Sequence, residues 1–332
     1  MKDKRDFLVD IVYLWCDGND KEFIKRKAFY QGNEQYEKNE EAVGNRRFFD
    51  NDELKYSLRS LEMNAPWINH IFIVTDRQTP KWLNIAHPKI SIVDHSEILP
   101  EELIPCFNSS VIERYIARIP GLQEHFLYAN DDSFFGEKVS KDFFYKHGRP
   151  IARMNYYKNS TKEYSEPELD KLYINANLFD KTEVNAWKLL LEKNKLKKVS
   201  LWQNHHNIDA FLKSDYIEVI QKYSKELDAN IYRFRSEKDI QRVLFSADLI
   251  INQRADLKMI GIRSKFDFFR WLLRLRVVDS CCGTAMLKYF FLLVLFRPKL
   301  FCINNSGINE TMDKREKNFL DWKFPNKSMF EK

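Results

Sequence analysis

The stretch HIFIVTDRQTPKWLNIAHPKISIVDH, residues 70–95, holds two short runs rich in β-branched side chains, HIFIVTD (70–76) and KISIVDH (89–95). Each has the length and composition of a buried strand, and PKWLNIA (80–86) between them reads as a short helix. Outward from there, LVDIVYLW (8–15) is a further strand that stops at Asp17-Gly18-Asn19-Asp20, and HFLYAND (125–131) is a fourth. Helices are expected between them. Leu54, Leu58 and Leu61 make one apolar stripe at i, i+4 and i+7, with Asp50 or Asn51 as its cap. SVIERYIARI (110–119) follows Asn108 or Ser109 and ends at Pro120-Gly121. Residues 21–46 read as a helix and a mobile loop. Strands alternating with helices at this spacing predict an α/β fold with a mostly parallel, Rossmann-like sheet. We expect residues 1–150 to form that core. Residues 151–332 turn helical, at 181–197, 207–227 and 237–253, and close over the open edge of the sheet. A final strand near 299–304 returns to the core.

Composition narrows the class. In 332 residues there are 9 Gly and 10 Pro, with 44% hydrophobic and 14% aromatic content, which excludes collagen and wholesale disorder. A formal charge of +6 is mild and scattered, so it suits anionic ligands and argues against nucleic acid as a partner. Five cysteines without a C-x-x-C pair argue against a disulfide framework and for a reducing compartment. The first residues, MKDKRDFLVDIVYLWCDGND, meet Asp10 within a short apolar run and do not read as a signal peptide. GTAMLKYFFLLVLF (283–296) is shorter than the roughly 20 apolar residues that span a bilayer, and reads as a buried helix. RSKFDFFRWLLRLRVV (263–278) fits either a core-facing helix or an anionic membrane surface. The expected location is cytoplasmic, with peripheral contact at the inner face of a membrane.

Three segments carry chemistry. YANDDSFFG (128–136) sets Asn130, Asp131 and Asp132 at a strand end, where α/β sheets bind ligands. Two adjacent carboxylates there suit Mg²⁺ or Mn²⁺ shared with substrate phosphates, although Asn-Asp-Asp-Ser also makes an ordinary turn. QNHHNIDAF (203–211) places His205 and His206 at the start of a predicted helix. One could take a proton from a hydroxyl, or the pair could simply cap and face solvent. YRFRSEKD (232–239) offers Arg233 and Arg235, whose guanidinium forks match phosphate oxygens; salt bridges to Glu237 or Asp239 are the alternative. There is no GxxxxGK[ST], no GxGxxG after a strand and no GxSxG.

The order of these segments resembles the Stealth family. DIVYLWCDGND (10–20) is similar to its first conserved region, of the form D-V-V-Y-x-W-V-D/N-G. RRFFDNDELKYSLRSLEMNAPWINHIFIVTDRQTPKWLN (46–84) and CFNSSVIERYIARIPGLQEHFLYANDDSFFG (106–136) resemble the second. HHNIDAF with RFRSEKDIQ (205–241) resembles the third, and KLFCINN (299–305) the fourth. The resemblance implies a sheet of the nucleotide-sugar transferase type. It implies a hexose-1-phosphoryltransferase of capsular or related cell-surface polysaccharide synthesis, similar to the animal N-acetylglucosamine-1-phosphotransferase. Such enzymes join sugar and one phosphate to an acceptor hydroxyl and release a nucleoside monophosphate. By position it assigns catalysis to His206 and Arg235, with Arg47 as a further arginine. It puts a divalent metal at Asn130, Asp131 and Asp132. Asp17 and Gly18 are expected to meet the nucleoside, and Asp50, Asn51, Asn108 and Ser109 to complete the substrate-binding set. The implied partners are a nucleotide-diphospho-sugar, of UDP type, and an acceptor oligosaccharide, lipid-linked at the membrane. Two positions depart from the pattern. Ile303-Asn304-Asn305 stands where L-N-D is usual, leaving an amide for a carboxylate, and Cys16 replaces a Val. A glycosyltransferase that moves the sugar alone would carry the same metal, nucleotide and base. An inactive glycan-binding module would carry the same fold.

Overall fold

A computed structural model of the chain describes residues 7–33, 44, 48–260, 275–279, 290–291, 293–304 and 310–332. Its centre is β1 (Val9–Leu14), which pairs in parallel with β2 (Ile71–Thr75) on one side and β4 (His125–Asn130) on the other. Beyond β2 lies β3 (Ile90–Asp94), also parallel, and beyond β4 lies β8 (Asp209–Leu212), antiparallel. The chain is therefore an α/β protein whose central sheet is mostly parallel. Alternation within the strands divides two cores. Val12, Phe72, Val74, Phe126 and Tyr128 pack on one face, and Val9, Ile11, Tyr13, Ile71, Leu127 and Ala129 on the other. Coverage of both faces explains the nearly continuous apolar runs from which these strands were read.

The winding positions the site. From β1 the chain moves outward through β2 and β3, then crosses back to lay β4 on the opposite side of β1. This reversal opens a crevice beyond the carboxyl ends of β1 and β4, where Leu14 and Asn130 are register partners. Helix α1 (Lys21–Asn33) follows β1, and α2 (Glu53–Asn64) precedes β2, burying Leu54, Leu58 and Leu61 as their spacing predicts. Helix α3 (Ser109–Tyr115) precedes β4, and its Asn108 cap accepts from the Ser110 amide at 3.2 Å.

Several expectations need correction. The cap of α2 is Asp52, not Asp50 or Asn51. Asp52 has φ 67° and no capping bond of its own, because its carboxylate is held by Lys55 at 2.8 Å and Lys317 at 3.3 Å. Residues 80–86 are not helical. One turn bond stays local, Leu83 N donating to Pro80 O at 3.0 Å, and others reach the tail of the chain, Asn84 N donating to Phe330 O and Lys332 N to Trp82 O. The segment read as a helix over 207–227 begins as β8 and becomes helical only at α5 (Lys213–Lys222). Ile208 and Ala210 pack into one core and Phe211 into the other, a period of two that only a strand supplies.

The rest of the later half includes α4 (Leu178–Lys193), α6 (Val243–Ile251) and, besides a two-stranded pair, two larger minor sheets. In one, β6 (Arg149–Tyr156) runs between β7 (Trp202–Asn204) and β9 (Asp256–Met259). In the other, β11 (Leu300–Asn304) lies between β10 (Leu275–Asp279) and β5 (Ser133–Phe135). Helix α7 (Glu310–Lys323) then packs on α2, where Tyr56 donates to Asp321 at 2.7 Å. Among the described residues no helix is long and apolar enough to cross a membrane. Of the apolar run 283–296, residues 290–291 and 293–296 are helical, with Phe290 and Leu293 buried, and the remainder lies outside the described residues. Of the segment 263–278, only the strand residues from 275 onward are described.

Gly18 marks a close approach at the exit of β1. Its amide donates to Phe48 O at 2.6 Å, and a Cβ there would stand 2.1 Å from that same oxygen. Phe48 lines the adjoining cavity. Gly18→Ala is therefore expected to force the Phe48 backbone aside and to cost about 1–3 kcal/mol, the usual range for overpacking. Thermal denaturation measures the loss; an unchanged Tm would show that the 48–50 segment yields freely.

Candidate active site

The crevice is a cavity of about 610 Å³. The end of β4 forms one wall, where Asn130, Asp131 and Asp132 turn sharply into β5. The turn is closed by the Asp132 amide, which donates to Asp131 Oδ1 at 3.1 Å, and Asn130 Oδ1 lies 3.1 Å from the Tyr128 hydroxyl. Burial raises both carboxyls above the usual range. Asp131 is pushed further by the charges of Asp132 and Asp50, whereas neighbouring His206 draws Asp132 back down. Two repelling, poorly hydrated carboxylates at a cavity wall are a donor set that a divalent cation stabilises. Asp131 and Asp132 fit such an ion on that ground.

His205 and His206 stand in the bend before β8, not at a helix start. Their surroundings differ sharply. His205 is 2% exposed, its amide donates to Arg153 O at 3.1 Å, and burial drives its ring down to about 3, helped by the charges of His206 and Arg153. His206 is exposed and lines the cavity. One ligand atom each from Asp132, His206 and Cys302 lies within 4.8 Å of the others.

Arg233 and Arg235 also part ways. Arg233 lies 4.3 Å over the Tyr30 ring and donates to Glu102 O at 2.8 Å and to Pro105 O, so it ties loops together. Arg235 lines the cavity and donates to Ser109 Oγ at 2.7 Å. Asn108 is fully buried and makes this meeting possible. Its amide nitrogen donates to Tyr232 O, Phe234 O and Asp239 Oδ2 at 3.1, 3.2 and 2.8 Å. With its oxygen capping α3, no polar atom of Asn108 is left to face a ligand.

Other expected residues adjoin the cavity without lining it. Asp17 is fastened by Gln78, whose side chain accepts from its amide at 3.0 Å and donates to its carbonyl at 2.9 Å. Asn51 donates to Asp313 O at 3.1 Å. Burial pushes the Asp50 carboxyl up to about 6, and its Oδ1 has no hydrogen-bond partner. Arg47 and Asn305 lie outside the described residues.

Two residues at the site were not singled out from the sequence. Glu53 lines the cavity at 4% exposure, and burial together with Glu316, Asp131 and Asp50 holds its carboxyl well above the usual range. Cys302 arrives on β11, where it is the register partner of Ser133 beside Asp132. A glutamate in a first helical turn and a cysteine in a strand are both common, so neither gives a local signal.

Residues 47–152 match the family described as Stealth protein CR2, conserved region 2. The chain is similar along its whole length to capsular polysaccharide phosphotransferase SacB of Neisseria meningitidis serogroup A. The two are 31% identical over 341 residues, covering 100% of this chain and 58% of that one. Exopolysaccharide phosphotransferase cps2G of Lactiplantibacillus plantarum is 45% identical over 145 residues, 43% of this chain and 41% of its own length. Exopolysaccharide phosphotransferase SCO6023 of Streptomyces coelicolor is 47% identical over 144 residues, 43% of this chain and 24% of its own. The chain thus spans between 24% and 58% of these relatives' lengths. Among solved structures, the glycosyltransferase GlyE of Streptococcus pneumoniae TIGR4 aligns over 96% of this chain and 62% of its own. Its 9% identity and TM-score of 0.40 are too slight to bear on the reading. Over residues 47–152 the chain thus carries a segment similar to conserved region 2 of the Stealth proteins, and along its whole length it is similar to SacB.

Proposed function

We propose that the protein transfers a hexose-1-phosphate or N-acetylhexosamine-1-phosphate from a nucleotide-diphospho-sugar, of UDP type, to an acceptor glycan hydroxyl in cell-surface polysaccharide synthesis. The observation that carries this reading is the convergence of His206, Arg235, Asp131 and Asp132 on one cavity at the winding reversal of the sheet. The phosphotransferase names of the relatives support it. His206 accepts the proton of the acceptor hydroxyl. The acceptor oxygen bonds to the sugar-bearing phosphorus, the phosphoanhydride bond breaks, and a nucleoside monophosphate leaves. Arg235, held by Ser109, meets the charge that spreads over the equatorial oxygens, which is where catalysis of phosphoryl transfer chiefly acts. A divalent cation, Mg²⁺ or Mn²⁺, held by Asp131 and Asp132 would supply charge neutralisation of the diphosphate. The reaction belongs on the cytoplasmic side, peripheral to the membrane, where a lipid-linked acceptor and a nucleotide sugar meet.

The product tests this. Incubation with UDP-sugars and a lipid-linked acceptor should release the nucleoside monophosphate. Release of the diphosphate would mean transfer of the sugar alone, and absence of turnover with every donor would leave a binding module. Within the same assay, Arg235→Lys is expected to lower kcat by about tenfold to a thousandfold. A planar fork anchored to Ser109 becomes a single mobile charge. A raised KM with unchanged kcat would instead make Arg235 a ground-state binding residue.

A further inference from the structure

The cluster of Asp132, His206 and Cys302 is not the donor set of a magnesium enzyme. Magnesium takes hard oxygen ligands and keeps several waters, whereas thiolate and imidazole select zinc and related transition metals. Here one carboxylate oxygen, one ring nitrogen and one sulfur lie within 4.8 Å of one another. They are also on fixed supports. The Ile303 amide donates to Asp132 O at 3.0 Å, and Cys302 is in register with Ser133, so β11 holds the sulfur against the acidic turn. His206 approaches from the open side of the cavity, which gives an ion an entry path. A fourth position is left for water, as in three-ligand zinc sites.

We propose that Asp132, His206 and Cys302 form a transition-metal site of zinc type, which shares Asp132 with the hard-cation pair Asp131 and Asp132 and takes its other ligands from His206 and Cys302. Binding forms the Sγ–metal bond as the Cys302 thiol proton leaves to bulk water, and it engages the lone pair of His206. Zinc therefore withdraws both the proton acceptor and one of the carboxylates of the proposed reaction, and acts as an inhibitor competing with magnesium. That consequence rests on the proposed function; the binding itself does not.

The test uses Co²⁺ and Zn²⁺ on the full chain carrying Cys281→Ser and Cys282→Ser, which removes the adjacent cysteine pair as a rival ligand. Added Co²⁺ should give sulfur-to-metal charge-transfer absorption with release of a proton, and Zn²⁺ should then displace the Co²⁺ and abolish that absorption. Cys302→Ser should abolish that absorption and weaken Zn²⁺ binding at least tenfold, measured by competition with a chromophoric chelator, and His206→Ala should weaken it comparably. X-ray absorption of the zinc-loaded chain, expected to show one sulfur neighbour, serves if a variant misfolds. Absence of sulfur from the metal's surroundings, or zinc affinity indifferent to both variants, would overturn the site. Zinc bound by these residues without inhibiting turnover would overturn only the competition, and failure of every donor to turn over would count against the proposed function while leaving the site intact.

Discussion

His206→Ala is expected to reduce kcat by about 10²- to 10⁴-fold, the range attributed to a positioned acid–base group. His205→Ala should act otherwise, through stability. His206 is exposed in the cavity beside Asp132, whereas His205 is buried against Arg153 and stays neutral across the physiological range. Emptying the His205 site leaves a buried void, so its Tm should fall and its kcat should remain within a few-fold where the protein is folded. Steady-state kinetics, after circular dichroism has established folding, decides between the roles. Equal losses of kcat in both variants would remove the general base.

Asp131→Asn and Asp132→Asn are expected to abolish most divalent-dependent turnover, by at least the 10²- to 10³-fold seen when one transition-state stabilising group is removed. Their effect on folding should run the other way. Both carboxyls are half-buried in the cavity wall, where burial raises them, and the charges of Asp132 and Asp50 push Asp131 further. Substituting an amide removes that repulsion, which in a cation-free chain His206 relieves only at Asp132. In chelator, each variant should melt at or above the wild-type temperature. Near-normal turnover of both variants in chelator would dismiss the cation, and a sharp fall in Tm would show that the carboxylates instead hold the turn together.

Part of this was written in local patterns. The runs at 8–15, 70–76, 89–95 and 125–131 read as strands because a strand covered on both faces needs little but apolar, β-branched side chains. The stripe of Leu54, Leu58 and Leu61 reads as a helix for the same local reason, and the acidic residues after β4 stand where any such sheet exposes its strand ends. Other features turned on partners distant in the chain. Residues 80–86 lost their helix to the tail at Phe330 and Lys332. The end of HHNIDAF, from Asp209 on, became strand because β4 had an open edge, and this left both histidines in the bend before it, one buried and one facing the cavity. Arg233 and Arg235 are alike in sequence, and only the anchoring of their loop by Asn108 gives one to structure and the other to the site. Cys302 and Glu53 join the acidic turn through the pairing of β11 with β5 and the burial of the first turn of α2. The sequence by itself determined the parallel core and the chemical character of its open end, since both follow from side-chain period and type over short spans. The tertiary structure alone decided which of those side chains meet, because strand register and loop anchoring are set by contacts between segments that no local pattern relates.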